Sequence, residues 1–245
     1  MYSFKPMGDK GVLINFEQKI SPQISLQIRR FASKLKQKPY EAVVEIIPAY
    51  ASICVVYNPV IALYEDMVKY CTELLEAETN EEEAGSTVFE IPVLYNEQTG
   101  PDINFVAEYN GLNIDEVIAI HTSKPYLIYM LGFAPGFCYL GGMDERIAAP
   151  RQKVPRQKIK PGTVGIAGSQ TGMYPIESPG GWQLIGITPL KLYDPKRNPP
   201  VYYKSGDYIK YKAVDEAEFE KISEAQQKGE YQWISWLYEG DEHIG

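Results

Sequence analysis

Proline and glycine punctuate the chain so closely from Pro125 onward that only short, strand-like segments fit between them. Those segments are "PYLIYMLGF", "GTVGIAGSQTGMYP", "GWQLIGITPLKLYD" and "GDYIKYKAV", each bounded by turn formers. Short strands at turn-marked intervals are the pattern of a β-barrel or sandwich. Residues 126–143 form an uncharged run that approaches membrane-span length, but Gly132, Pro135, Gly136, Gly141 and Gly142 would break its helix. In lipid the freed backbone groups would find no partners, so no membrane span is expected.

The first third reads differently. "GVLINF" (11–16) is a strand, Ser21 and Pro22 form a helix start, and Ile24, Ile28, Phe31 and Leu35 fall on one helical face. "AVVEIIPAYASICVVYN" (42–58) gives two strands around a turn at Pro48-Ala49-Tyr50. Asn58-Pro59 predicts another helix start, with Leu63, Met67, Cys71 and Leu74 facing inward. The resulting β-α-β-β-α order is ferredoxin-like. The acidic "EAETNEEEAGS" (76–86) then marks a boundary, giving an N-terminal α/β domain at 1–84 and a second domain at 85–245, an α+β chain overall. In the second domain, 101–109 predicts a short helix ended by Gly111, and Asn113 with Glu116 predicts a capping box for a helix carrying His121. Asp215 with Glu218 starts a last helix, with Phe219 and Ile222 as its apolar positions, which Gly229 ends.

A chain of 245 residues with 44% hydrophobic content can bury a core without staples. Its net charge of -8 argues against a nucleic-acid partner, which demands a basic face. Cys54, Cys71 and Cys138 lack metal-binding spacing and have only His121 and His243 to join them, so neither disulfides nor a metal site is expected. "MYSFKPMGDKGVLINF" lacks the basic and apolar regions of a secretory signal, and a cytoplasmic protein with reduced thiols is the expectation.

Against that acidic background, "RIAAPRQKVPRQKIK" (146–160) is basic throughout. Its prolines deny it a helix, and a planar guanidinium suits carboxylate or phosphate better than an ammonium does, which ranks Arg151 and Arg156 above the lysines. A solvated basic loop is the plainer alternative. "GSQTGMYPIESPGGWQLIG" (168–186) sets Gln170, Thr171, Tyr174 and Ser178 among glycines beside Trp182, which is either a polar-lined pocket with an indole wall or ordinary turn chemistry with a core tryptophan. "GFAPGF" (132–137) lacks the spacing of a dinucleotide fingerprint, and "GIAGSQTG" lacks the G-K-[ST] of a phosphate loop. Ser178 as a nucleophile would need His121 as its base. Cys138 reads better as a small apolar filler than as a nucleophile.

The continuous stretch 131–194, beginning "LGFAPGFCYLGGMDERIAAPRQKVPRQKIKPGTVGIAGSQTG", resembles the 5-oxoprolinase B-subunit family, also called the KipI or allophanate hydrolase subunit 1 family. "EIIPAYASICVVYNP" and "HTSKPYLIYMLGFAPGF" are similar to it as well, so the resemblance runs from about Gly11 to Val214 and leaves "EYQWISWLYEGDEHIG" unmatched. The resemblance implies a cyclophilin-like β-barrel in the second domain. It also implies one component of an ATP-dependent enzyme that works with subunits A and C to open 5-oxo-L-proline to L-glutamate, with ATP and Mg bound at the assembled complex. Under it Arg151 and Arg156 would meet the moving phosphoryl group and the substrate carboxylate, and His121 would hold or deprotonate the lactam N–H. Gly132, Phe133, Pro135, Gly136, Phe137 and Tyr139 would border the substrate, joined by Gln170, Thr171, Tyr174, Ser178, Gly180, Gly181 and Trp182. Two other roles attach to relatives: inhibition of a sensor histidine kinase, and partnership in a urea-carboxylase-type carboxyltransferase.

Overall fold

The computed structural model describes residues 2–17, 19, 21–77 and 85–239. It divides into two compact units, Met1–Ala84 and Gly85–Gly245. Most of the acidic 76–86 segment lies outside the described residues, as do His243 and the end of the C-terminal tail.

The first unit runs β1 (Ser3–Pro6), β2 (Gly11–Asn15), α1 (Pro22–Gln37), β3 (Val43–Pro48), β4 (Ser52–Tyr57) and α2 (Tyr64–Glu76). Its sheet is wholly antiparallel in the order β1-β2-β4-β3. The predicted order holds from β2 onward. An additional strand, β1, occupies the edge beside β2, where "SFKP" offers no alternating pattern to betray it. Ser21 caps α1 by accepting the Ile24 N–H at 3.2 Å, and the predicted Ile24, Ile28, Phe31 and Leu35 are all buried. They meet Val12, Ile14, Ile53 and Val55 in one core with Met67, Cys71 and Leu74 of α2. Each large side chain so buried contributes about 1.5–3 kcal/mol. The helix predicted from Asn58-Pro59 begins only at Tyr64. The Asn58 side chain instead accepts the Val60 N–H at 3.0 Å, closing a turn, and Asp66 accepts the Leu63 N–H at 3.0 Å to start the helix.

The second unit holds β5 (Thr87–Leu94), α3 (Ile103–Tyr109), α4 (Ile114–His121), β6 (Tyr126–Leu131), β7 (Cys138–Gly141), β8 (Arg156–Ile159), β9 (Thr163–Ala167), β10 (Gln170–Met173), β11 (Ser178–Gly180), β12 (Gln183–Ile187), β13 (Tyr208–Val214), α5 (Glu216–Lys228) and β14 (Ser235–Leu237). Its main sheet runs β10-β9-β12-β5-β13-β6-β7, with β14 also on β5. The end strands adjoin, since a Cβ on Gly172 of β10 would lie 3.3 Å from the Cys138 carbonyl of β7, so the sheet is a nearly closed barrel. β13 pairs β5 in parallel from Tyr208↔Val88 to Val214↔Leu94, and every other paired strand of the sheet is antiparallel.

The barrel core includes Ile91, Ile128, Val164, Ile185 and Ile209, with Val106 of α3 and Val117 of α4 packed into it. The predicted capping box of α4 is present, Glu116 N–H to Asn113 at 2.9 Å and Asn113 N–H to Glu116 at 2.8 Å. Asp215 caps α5 and Gly229 ends it in the left-handed conformation, but of its two expected apolar positions only Ile222 packs against the core. β8 and β11 pair outside the main sheet as a two-stranded flap. No described helix is long and apolar enough to cross a membrane.

Candidate functional site

The β6–β7 turn, the basic segment before β8 and the β11–β12 turn converge around a cavity of about 250 Å3. The first of these turns is held by Gly132 N–H to Phe137 O at 3.1 Å and Phe137 N–H to Ala134 O at 3.0 Å. It places Phe133 at φ 66°, a left-handed conformation that costs a non-glycine residue about 1–2 kcal/mol. The Phe133 ring is left largely in solvent at the cavity rim. Behind it the aromatic residues interlock edge to face: Phe137 lies 5.4 Å from Phe133, 5.1 Å from Tyr139, 5.8 Å from Tyr174 and 5.7 Å from Trp182. Contacts of this geometry stiffen the wall.

Gly180 and Gly181 form the opposite side with Pro155 and Pro179. A Cβ on Gly180 would collide with the Tyr174 hydroxyl, so glycine is required for the flap to close over that ring. Burial pushes the Tyr174 phenol up to about 12, against the opposing pull of the Trp182 N–H, Arg151 and Arg156, so it remains a neutral hydroxyl at pH 7.

The two predicted arginines have different situations. Arg151 lines the cavity, and its guanidinium has no ion-pair or hydrogen-bond partner among the described residues. Arg156, at the start of β8, is bound instead to the buried Asp102 carboxylate, Nη2 to Oδ1 at 2.7 Å. Asp102 sits at the head of α3 but makes no side-chain cap there. Its other oxygen accepts the Leu184 N–H at 2.7 Å. Sequence reasoning passed over Asp102, Gln152 and Gln183, because Asp102 looks like an ordinary helix-start residue and the two glutamines carry no motif.

His121 is fully enclosed in the barrel core, stacked on Tyr211 at 4.5 Å between ring centroids. The Thr171 hydroxyl donates to Gly165 O at 3.2 Å, so it accepts from His121 Nε2–H at 2.7 Å, and Nδ1 accepts from the Tyr95 hydroxyl at 2.7 Å. Burial pushes the imidazole down to about 3, and both ring nitrogens are occupied. His121 and the buried Thr171 therefore sit behind the barrel wall, away from the cavity lining, and His121 offers Ser178 no base. Ser178 lies in the flap with its hydroxyl buried and without a hydrogen-bond partner among the described residues. Gln170 opens β10 half-buried. Gly132, Pro135 and Gly136 line an adjoining open hollow on the β6–β7 turn. Cys138 is buried and its thiol pushed up to about 12, consistent with a filler.

A larger cleft, about 840 Å3, lies by the C-terminal end of α5 and holds none of the predicted residues. Its Arg197 donates to the carbonyls of Lys191, Leu192, Pro199 and Pro200 and stacks 3.9 Å over Tyr202, while Lys191 pairs with Asp194 at 2.9 Å. The smaller cavity combines one guanidinium without an ion-pair or hydrogen-bond partner among the described residues, a neutral phenol and aromatic walls, with no carboxylate in its lining. It suits a small, flat anion. No described cluster of three or more His, Cys, Asp and Glu side chains is placed to hold a metal ion.

The family described as "Carboxyltransferase domain, subdomain C and D" matches residues 2–203, which contain the whole cavity lining. The chain is 40% identical over 233 residues to the 5-oxoprolinase B subunit of Bacillus subtilis (strain 168), covering 91% of this chain and 97% of the relative. The chain belongs to the 5-oxoprolinase B-subunit family. Among solved structures, this family member is 47% identical to the conserved uncharacterized protein PH0987 from Pyrococcus horikoshii, covering 89% of this chain and 100% of that one with a TM-score of 0.53. Kluyveromyces lactis urea carboxylase is 18% identical over 97% of this chain and 24% of that one, with a TM-score of 0.79, a likeness of fold. The β13, α5 and β14 elements lie beyond the matched family region.

Proposed function

We propose that this chain carries the 5-oxoproline site of a 5-oxoprolinase and acts with subunits A and C to convert 5-oxo-L-proline to L-glutamate at the expense of ATP. The observation that carries the reading is the unpaired Arg151 guanidinium in an aromatic cavity of about 250 Å3, matched to a molecule with one carboxylate on a flat five-membered ring. Relatives named as the B subunit of 5-oxoprolinase support it.

An unstrained lactam is resonance-stabilised and resists water. Transfer of the γ-phosphoryl group to the lactam oxygen forms an O–P bond, releases ADP and turns that oxygen into a leaving group. Water attack at the same carbon gives a tetrahedral adduct whose collapse breaks the C–N bond and opens the ring as a γ-glutamyl phosphate, and a second water then displaces phosphate to free glutamate. In this chain Arg151 binds the carboxylate and the aromatic walls orient the ring, which is the entropic part of the task. The cavity, at about 250 Å3, matches the ring of 5-oxoproline, and the γ-phosphoryl group has to reach it from ATP and Mg bound at the assembled complex.

Mixing the chain with subunits A and C, and measuring glutamate from 5-oxoproline with each component omitted in turn, tests the reading. Product that requires ATP and this chain, and that falls roughly 100-fold in kcat/KM with Arg151→Ala, is the expected result. Unchanged turnover without this chain would refute it.

A further inference from the structure

The backbone on both sides of Arg151 is fixed from below by one buried carboxylate and two amides. Asp102 Oδ1 receives Arg156 Nη2 at 2.7 Å and Gln152 Nε2 at 3.1 Å. The Gln152 amide also donates to Gln183 Oε1 at 2.7 Å, and the buried Gln183 in turn donates to the Pro150 carbonyl at 2.6 Å. The Gln152 backbone N–H bonds to Gly181 O at 2.7 Å, joining the same segment to the glycine side of the cavity. Pro150 and Gln152 flank Arg151 directly, so the cation of the cavity lining is held at both neighbours while its own side chain has no ion-pair or hydrogen-bond partner among the described residues. Asp102 is itself immobilised through strand β12, by Leu184 N–H to Oδ2 at 2.7 Å and by its own N–H to Leu184 O at 2.9 Å.

We propose that Asp102 is the positioning residue of the substrate site: through Arg156 and Gln152 it holds the 150–156 segment so that Arg151 meets the substrate carboxylate, and Arg156 serves that clamp rather than the substrate. This inference rests on the proposed 5-oxoproline site. It predicts that Asp102 acts on substrate only through Arg151. A misdirected guanidinium weakens carboxylate binding in the ground state and the transition state alike, so the effect falls on KM rather than kcat.

The test is a double-mutant cycle in the enzyme assembled with subunits A and C. Asp102→Asn and Arg151→Gln are each expected to raise the KM for 5-oxoproline roughly 10- to 100-fold with little change in kcat, and the double variant is expected to be no worse than Arg151→Gln alone. An Asp102→Asn enzyme with lowered Tm but unchanged KM would overturn the proposal, as would KM effects that multiply in the double variant. Gln152→Ala, which removes the Gln152 ties to Asp102 and Gln183 and leaves the Asp102–Arg156 pair, is the second variant should Asp102→Asn fail to fold, and it is expected to raise KM by a smaller factor. An unchanged KM in that folded variant counts against the clamp. If the wild-type assembly forms no glutamate, the 5-oxoproline reading fails by itself, and hydrogen exchange decides the clamp. The Gln152 N–H is then expected to exchange at least about 10-fold faster in Asp102→Asn while the β13 amides keep their protection. A Gln152 N–H that stays protected overturns it.

Discussion

His121, the residue whose side chain most invites a catalytic reading, is used by this fold as a neutral, doubly bonded core group. Its folded value near 3 lies below the unfolded value near 6.5, so between those limits the unfolded chain binds the extra proton. The contribution of His121 to stability is therefore fully present above about pH 6.5 and is lost by up to about 1.4 kcal/mol per unit as the pH falls toward 3. Urea midpoints from pH 7.5 to 4.5 should show that slope in the wild type, and a shallower one in His121→Asn whatever its starting stability. Equal slopes would mean another group sets the acid limit. Arg151 and Arg156 teach a related lesson, because sequence named both and could not say which was free. The deciding partner, Asp102, stands 54 positions from Arg156.

Elements whose ends are written in local chemistry were legible. The Ser21 cap of α1, the Asn113–Glu116 box of α4 and the Gly229 stop of α5 each involve residues within one helical turn, and all three form. The start of α2 was misplaced because Asn58 closes a turn before the helix begins. The flap strands β8 and β11 were not separable from coil, since they are short and their pairing shifts register between Ser178 and Gly180. Gly180 is where that element acts on the site. Gly180→Ala should force Tyr174 aside and cost about 1–3 kcal/mol by overpacking. Thermal unfolding and near-UV circular dichroism check this, and an unaltered aromatic signal would show that the flap gives way instead of the ring.

At the scale of the molecule, the C-terminal tail finishes the barrel unit. β14 pairs with Thr87, Val88 and Phe89 of β5, Trp233 meets Phe89 edge-on at 6.3 Å, and Tyr238 stacks on Tyr208 at 4.0 Å. Truncation after Gly229 should destabilise the protein by roughly 2–5 kcal/mol through lost strand pairing and exposed aromatic surface. A denaturant titration measures it, and an unchanged midpoint would show that the tail adds nothing to the barrel. The sequence by itself determined the two-part α+β plan, the caps, the glycine and proline turns and the family, because each of these depends on residues close along the chain or on a long continuous likeness. Only the tertiary structure decided that β13 joins β5 in parallel, that β10 and β7 close the barrel, that His121 is walled in, and that Arg151 rather than Arg156 faces the cavity. Those outcomes depend on contacts between residues tens of positions apart, and the competition among such partners for one buried carboxylate or one strand edge leaves no mark in local spacing.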